Sequence, residues 1–376
     1  MSNAAGIIFS SLNTNTLSRL TSDRTVAAIP VACRYRLVDF CLSNMVNANI
    51  SNIFVVANYN YRSLLRHIGS GKDWDLARRK SGINFISPFQ AAANASEAKM
   101  FSTHLEALKS MRSLINEFTE EYVVMMDSDN VLNIDLASLI SDHEKSGANI
   151  TLVTMAASHK YTSKHPRMML SSVAGKVTDI SMSEKYDERH PDLALGIFVM
   201  KTVFLRRLIE EAIAYNLTSL TDFMLRNCKS QNYRSVRFNG YVATVSSFLD
   251  YYSCSMDLVN NPEAREHLFG DREARIYTKV HNSSPSVYKS TADVENSMIA
   301  DDCVIEGTVV NSVLFRGVKV ERGAVVKNSV LFSGTHIGAD ATVNCIVADK
   351  NVYISDSVNL SGNTNMPFYI QKSRKV

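Results

Sequence analysis

Several things are scarce in this sequence of 376 residues, and each scarcity removes a class of protein. No stretch approaches the run of about 18 apolar residues that a membrane-crossing helix requires, so no transmembrane span is expected. The six cysteines, Cys33, Cys41, Cys228, Cys254, Cys303 and Cys345, form no C-x-x-C pair and sit mostly among apolar neighbours. They read as reduced, buried thiols, not as a disulfide frame or zinc site, which fits a cytoplasmic protein. Charge of one sign is missing too: 40 Lys plus Arg face 37 Asp plus Glu, and no long basic block serves a polyanion. Nucleic acid is therefore not an expected partner. The N-terminal apolar stretch is short, carries no basic flank and runs into Asn, Thr and Ser, so no secretion signal is expected. What is plentiful is apolar residue, at 45%, enough to bury the cores of two or three domains.

Over residues 1–250, short apolar runs alternate with amphipathic helical patterns, the texture of parallel strands and crossover helices. Core strands are expected at 5–9, 52–57, 122–126, 150–155 and 195–200. Helices are expected over 101–118 and 201–215, each laying one apolar stripe on the sheet. Sheets of this kind bind ligands at the carboxyl ends of their strands, which singles out the loops after Phe9 and Met126. Residues 251–290, punctuated by Asn260-Asn261-Pro262 and Ser283-Ser284-Pro285, read as an ordered linker.

Residues 291–376 change to Val, Ile, Gly, Asn and Ser and carry an internal repeat. The phrases Asn296-Ser297-Met298-Ile299, Asn311-Ser312-Val313-Leu314, Asn328-Ser329-Val330-Leu331 and Asn344-Cys345-Ile346-Val347 start 15, 17 and 16 residues apart. Between them run six-residue steps such as Leu314, Val320 and Val326. One coil cannot bury such a ladder alone, whereas stacked coils can, so a left-handed parallel β-helix is expected. A β-sandwich is the alternative, but hairpin strands would not repeat with one fixed phrase.

One long ordered set of residues supports a family reading. Arg34-Tyr35-Arg36-Leu37-Val38-Asp39-Phe40, Leu42-Ser43-Asn44 and Val46-Asn47-Ala48-Asn49-Ile50 lead into Ser63-Leu64, His67-Ile68 and Gly71-Lys72-Asp73-Trp74-Asp75-Leu76. This run resembles the signature of bacterial glucose-1-phosphate adenylyltransferase, or ADP-glucose pyrophosphorylase. The resemblance spans essentially the whole chain. It implies a Rossmann-like nucleotidyltransferase (GT-A-like) α/β domain followed by the β-helix. It also implies a part in joining ATP and glucose 1-phosphate into ADP-glucose and diphosphate on the way to glycogen.

That reaction moves a nucleotidyl group between phosphates, so charge on the phosphates must be met by cations and close backbone amides. Here the sequence departs from the family. Its loop G-G-x-G-T-R-L-x-P-L-T meets 11–21 of this chain, where no glycine remains and the arginine position holds Thr16, with Arg19 a conceivable substitute. In the next segment Arg24 and Pro30 match, but Val26 stands at the lysine position and deletes a phosphate contact. Ser102-Thr103-His104-Leu105-Glu106-Ala107 is a degraded G-T-A-D-A. For magnesium, which takes carboxylates plus phosphates, Asp129 in Ser128-Asp129-Asn130-Val131 retains the first acid, while the second falls on Thr244. The sugar-phosphate half is kept better: Glu184-Lys185 could hold the phosphate, and Gly196 could leave room for the ring.

Losses gathered at the triphosphate and metal, with fold-shaping residues kept, resemble the GlgD-type branch of the family. That resemblance implies a weakly active or inactive regulatory subunit, a catalytic GlgC-type partner, a heterotetramer and weak or absent use of magnesium. Two other readings stay open on the residues: an active nucleotidyltransferase rebuilt around Arg19, Asp127 and Asp129, and a sugar-phosphate sensor acting through Lys185.

Overall fold

The computed structural model describes residues 3–10, 17–77, 81–88, 100–159 and 161–376, except for the side chain of Lys164. The loop positions 11–16, Thr16 among them, lie outside these residues. At the centre of the first domain is a nine-stranded sheet. Its strands are β1 (Ala4–Phe9), β2 (Asn52–Val56), β3 (Gly82–Ile86), β4 (Tyr122–Asp127), β5 (Ile150–Ala156), β6 (Thr162–Val173), β7 (Lys176–Lys185), β8 (Asp192–Lys201) and β9 (Tyr233–Arg237), in the order β3-β2-β1-β4-β8-β5-β9-β7-β6. β1 is buried along its whole length because helices cover both sheet faces.

The expected strands form, but the sheet is mixed. β8 runs antiparallel to β4 and β5, and β7 antiparallel to β6 and β9. Apolar periodicity carries burial and not direction, so a strand returning through a hairpin reads like a crossover strand. The helix expected over 101–118 divides into His104–Ser110 and Arg112–Asn116. The Ser110 hydroxyl donates to the Ala107 carbonyl at 2.7 Å, a local bond that competes with the helical ladder near the break. Helix Thr202–Ala214 buries Phe204, Leu205, Leu208, Ile209 and Ala212 at the expected three- and four-residue spacing.

The family-like motif is a structural bracket. Asp39, fully buried, accepts from the Arg36 amide at 3.0 Å and so caps helix Leu37–Asn47, while its other oxygen meets His67 Nε2 at 2.6 Å. Asn44 ties the same helix to the chain after β4, donating to the Leu132 carbonyl and accepting from the Ile134 amide, both at 3.1 Å.

From Val287 onward the chain winds into three parallel sheets of five short strands each, the left-handed β-helix. The repeated Asn is explained by corner geometry: Asn296, Asn311 and Asn328 have positive φ, which Asn tolerates better than most residues. Their amides form a ladder, Asn296 to Asn311 at 3.1 Å, Asn311 to Asn328 at 2.6 Å and Asn328 to Asn344 at 3.0 Å. The fourth phrase is offset by one. Asn344 pairs with Lys327, and Cys345 takes the positive-φ corner that Asn holds elsewhere.

Within the stretch read as a linker, helices Phe248–Asn260 and Pro262–Phe269 pack between the two domains. Tyr251, Tyr252 and Leu258 share one apolar cluster with Val26, Leu37 and Phe40 on one side and Phe315, Val330 and Phe332 on the other. All six cysteines are free thiols and five of them are buried. Among the described residues no helix is long and apolar enough to cross a membrane.

Candidate functional site

A cleft of about 250 Å³ lies at the carboxyl end of β4 and includes His104, Asp127, Asp129, Arg167 and Gly196 among its walls. Its position follows from the sheet, because adjacent loops leave opposite ways at strand ends and open a crevice there. β4 ends on Asp127, the turn after it carries Asp129, and Asn130 opens the short strand Asn130–Val131.

Asp127 accepts from His104 Nε2 at 2.6 Å, and the two side chains are 20% and 32% exposed. Burial disfavours the charged imidazole, but attraction to Asp127, their hydrogen bond and the charge of Asp129 together outweigh it, so the His104 pKa is raised. Gly196 stands directly against this pair. It has φ +67° at a bulge in β8, and a Cβ there would collide with the Asp127 carboxylate. In this protein its lack of a side chain makes room for Asp127.

Asp129 is 8% exposed. One carboxylate oxygen accepts from Arg167 Nη1 at 3.1 Å and the other from the Asn130 amide, also at 3.1 Å. Burial pushes its carboxyl pKa up, and the Arg167 guanidinium opposes that shift. Thr244 donates its hydroxyl to Asn130 Oδ1 at 2.7 Å, and Asn130 Nδ2 also donates to the Leu195 carbonyl at 2.7 Å. The bonds thus run as one chain from Thr244 through Asn130 and Asp129 to Arg167.

The other anticipated residues lie elsewhere. Val26 is fully buried in a short 3₁₀ turn with its isopropyl group in the interdomain cluster, where the family resemblance implies an ammonium. Arg19 is exposed with its guanidinium 5.4 Å from the centre of the Phe248 ring. Glu184 and Lys185 are exposed at the end of β7 and do not line the cleft, although Met182 of the same strand does. Two residues that do shape the cleft carried no assigned role from sequence. His104 stood inside a degraded motif, and Arg167 reaches Asp129 from 38 positions away, a pairing with no local signal.

A magnesium ion at Asp129 can be tested against these contacts. One or two carboxylates plus phosphate oxygens are the usual holders. Here one carboxylate is replaced by a hydroxyl already committed to Asn130, and the other is neutralised by a guanidinium. No cluster of three potential ligand side chains occurs among the described residues. The residues present do not fit a resident magnesium.

The nucleotidyl transferase family pattern matches residues 5–257, and the GlmU-like C-terminal hexapeptide pattern matches residues 281–366. The glycogen biosynthesis protein GlgD of Bacillus subtilis is 30% identical over 98% of this chain and 95% of its own length. That chain-long match decides the family. The chain belongs to the ADP-glucose pyrophosphorylase family. Within that family, GlgD of Geobacillus stearothermophilus is 31% identical over 85% of this chain and 82% of its own length. The glucose-1-phosphate adenylyltransferase of Mycoplasma mobile is 26% identical over 83% of this chain and 81% of its own. The chain is thus an ADP-glucose pyrophosphorylase family member whose cleft holds an arginine–carboxylate pair at a position where the family resemblance implies a metal ligand.

Proposed function

We propose that this protein is a catalytically impaired regulatory subunit that acts in the cytoplasm on a catalytic GlgC-type partner, within a heterotetramer serving glycogen biosynthesis. The observation that carries this reading is the engagement of Asp129 by Arg167, with Thr244 bound to Asn130 in place of a second acid. Nucleotidyl transfer needs cations aimed at the phosphates, and the loss of one such contact typically lowers turnover by about 10²–10³-fold. Val26 in the core adds a second loss at the same phosphates.

A subunit relieved of chemistry can still make contacts that favour one state of its partner over another, which is all that regulation requires thermodynamically. The cleft of about 250 Å³, with Gly196 and Arg167 on its wall, has room for a small ligand, and a sugar phosphate is the one to test. The deciding experiment measures ADP-glucose formation from ATP and glucose 1-phosphate with magnesium, using this chain alone, the catalytic partner alone and the mixture. Silence alone with a gain or altered effector response on mixing is the expected result. Robust synthesis by the chain alone would instead support a rebuilt site using Arg19, Asp127 and Asp129. Calorimetry with glucose 1-phosphate, on the wild-type chain and on Lys185→Ala, separates a ligand sensor from a subunit that only scaffolds.

A further inference from the structure

We infer that Arg167 is the resident cation of the cleft, standing in for a divalent metal at Asp129, so that the cleft is metal-indifferent. The inference concerns this chain's own carboxylate and rests on the proposed function only for where a metal would otherwise sit.

Three observations converge on it. The first is geometry: Arg167 Nη1 lies 3.1 Å from Asp129 Oδ2, and the two side chains are 19% and 11% exposed. A charge pair held this far from water stays together, because either partner left alone there bears an uncompensated desolvation cost. The second is satisfaction. Asp129 Oδ1 takes the Asn130 amide, and the Asn130 carbonyl oxygen takes the Thr244 hydroxyl, so both carboxylate oxygens are engaged. A metal entering here would have to displace the guanidinium, at the cost of leaving it unpaired beside a dication. The third is the neighbouring acid. Asp127 has one carboxylate oxygen bonded to His104 at 2.6 Å and the other packed against Gly196, so it is already engaged and does not stand free beside Asp129. A guanidinium is always charged and offers planar donors, so it supplies permanent positive charge without the coordination shell that a metal demands.

The test is a titration of the full-length chain with Mn²⁺ alone, read by electron paramagnetic resonance and by the shift in thermal midpoint. The wild type is expected to show no Asp129-dependent site, and its midpoint should not respond to the ion. Arg167→Ala with Thr244→Asp restores two carboxylates and removes the competing cation. It should bind Mn²⁺ about tenfold or more tightly than the wild type, through the added ligand charge. Adding Asp129→Asn to that variant should abolish the binding. Arg167→Lys, which keeps the charge, should still exclude the ion. Mn²⁺ binding by the wild type that disappears in Asp129→Asn overturns the inference, and this arm needs no variant at position 167 to fold. A folded Arg167→Ala, Thr244→Asp variant that remains blind to Mn²⁺ overturns it as well. The titration uses this chain by itself and partner activation is read on the mixture, so either conclusion can fail while the other stands.

Discussion

His143 is 1% exposed, its Nδ1 2.7 Å from the Thr151 hydroxyl and its ring edge-on to Tyr122. Burial, with Lys201 adding repulsion, lowers its pKa from 6.5 to about 4. In the unfolded chain the imidazole protonates near pH 6.5, so between that value and 4 the unfolded state binds more protons. Its contribution is therefore complete above pH 6.5 and is lost as the pH falls toward 4, by up to roughly 3 kcal/mol. Urea midpoints measured across that range should fall with acid, and His143→Gln should flatten the slope. At Gly196, substitution by Ala combines a positive φ with a collision against Asp127 and should cost about 1–3 kcal/mol. Because Asp127 must move, the raised His104 pKa should drop back in the same variant, which nuclear magnetic resonance of the imidazole would follow. Asp129 was legible from sequence alone as a retained acid and Thr244 as an altered position. Arg167 was not, because its partner is set by the placement of β6 beside the end of β4 in space, and no spacing encodes that.

At the scale of elements, strands and the solenoid were readable because each has its own period. β1 and β4 announce themselves as apolar runs, and the recurring Asn-Ser phrase announces coils. Strand direction was hidden. The offset of the fourth phrase was hidden too, since Asn344 keeps its rung in the amide ladder while Cys345 turns the corner. The ladder is itself a stabilising element. Asn328→Ala removes two of its amide bonds and strains a positive-φ corner, so it should cost about 1–3 kcal/mol in chemical unfolding. Asn328→Gly, which relieves the backbone but not the bonds, should cost less.

Across the whole molecule, one buried ion pair joins residues 325 positions apart. Arg24 Nη2 contacts both Asp349 oxygens, at 2.7 and 3.0 Å, with Tyr369 donating to the same carboxylate at 2.8 Å. The guanidinium also lies over Phe332, 5.6 Å from its ring centre. Arg24 thus acts here as a strut between the α/β domain and the β-helix. Arg24→Ala leaves Asp349 charged and buried, an expected loss of about 3–5 kcal/mol. Since the apolar cluster around Tyr251 and Phe332 also spans both domains, the wild type should unfold in one transition by fluorescence and by circular dichroism. In Arg24→Ala the two transitions should separate. The double variant Arg24→Met, Asp349→Leu should recover much of the loss, because it leaves no charge unpaired.

The sequence by itself determined the two architectures and the family, because periodicity, repetition and ordered motifs are properties of neighbours along the chain. Tertiary structure alone decided the contacts of the cleft and of the junction between the domains. It placed Arg167 against Asp129, bound Thr244 to Asn130, turned Gly196 toward Asp127 and closed Arg24 on Asp349. Each of these joins charges or dipoles from distant segments, and such pairs form only where folding has brought them together and removed the water that would otherwise screen them.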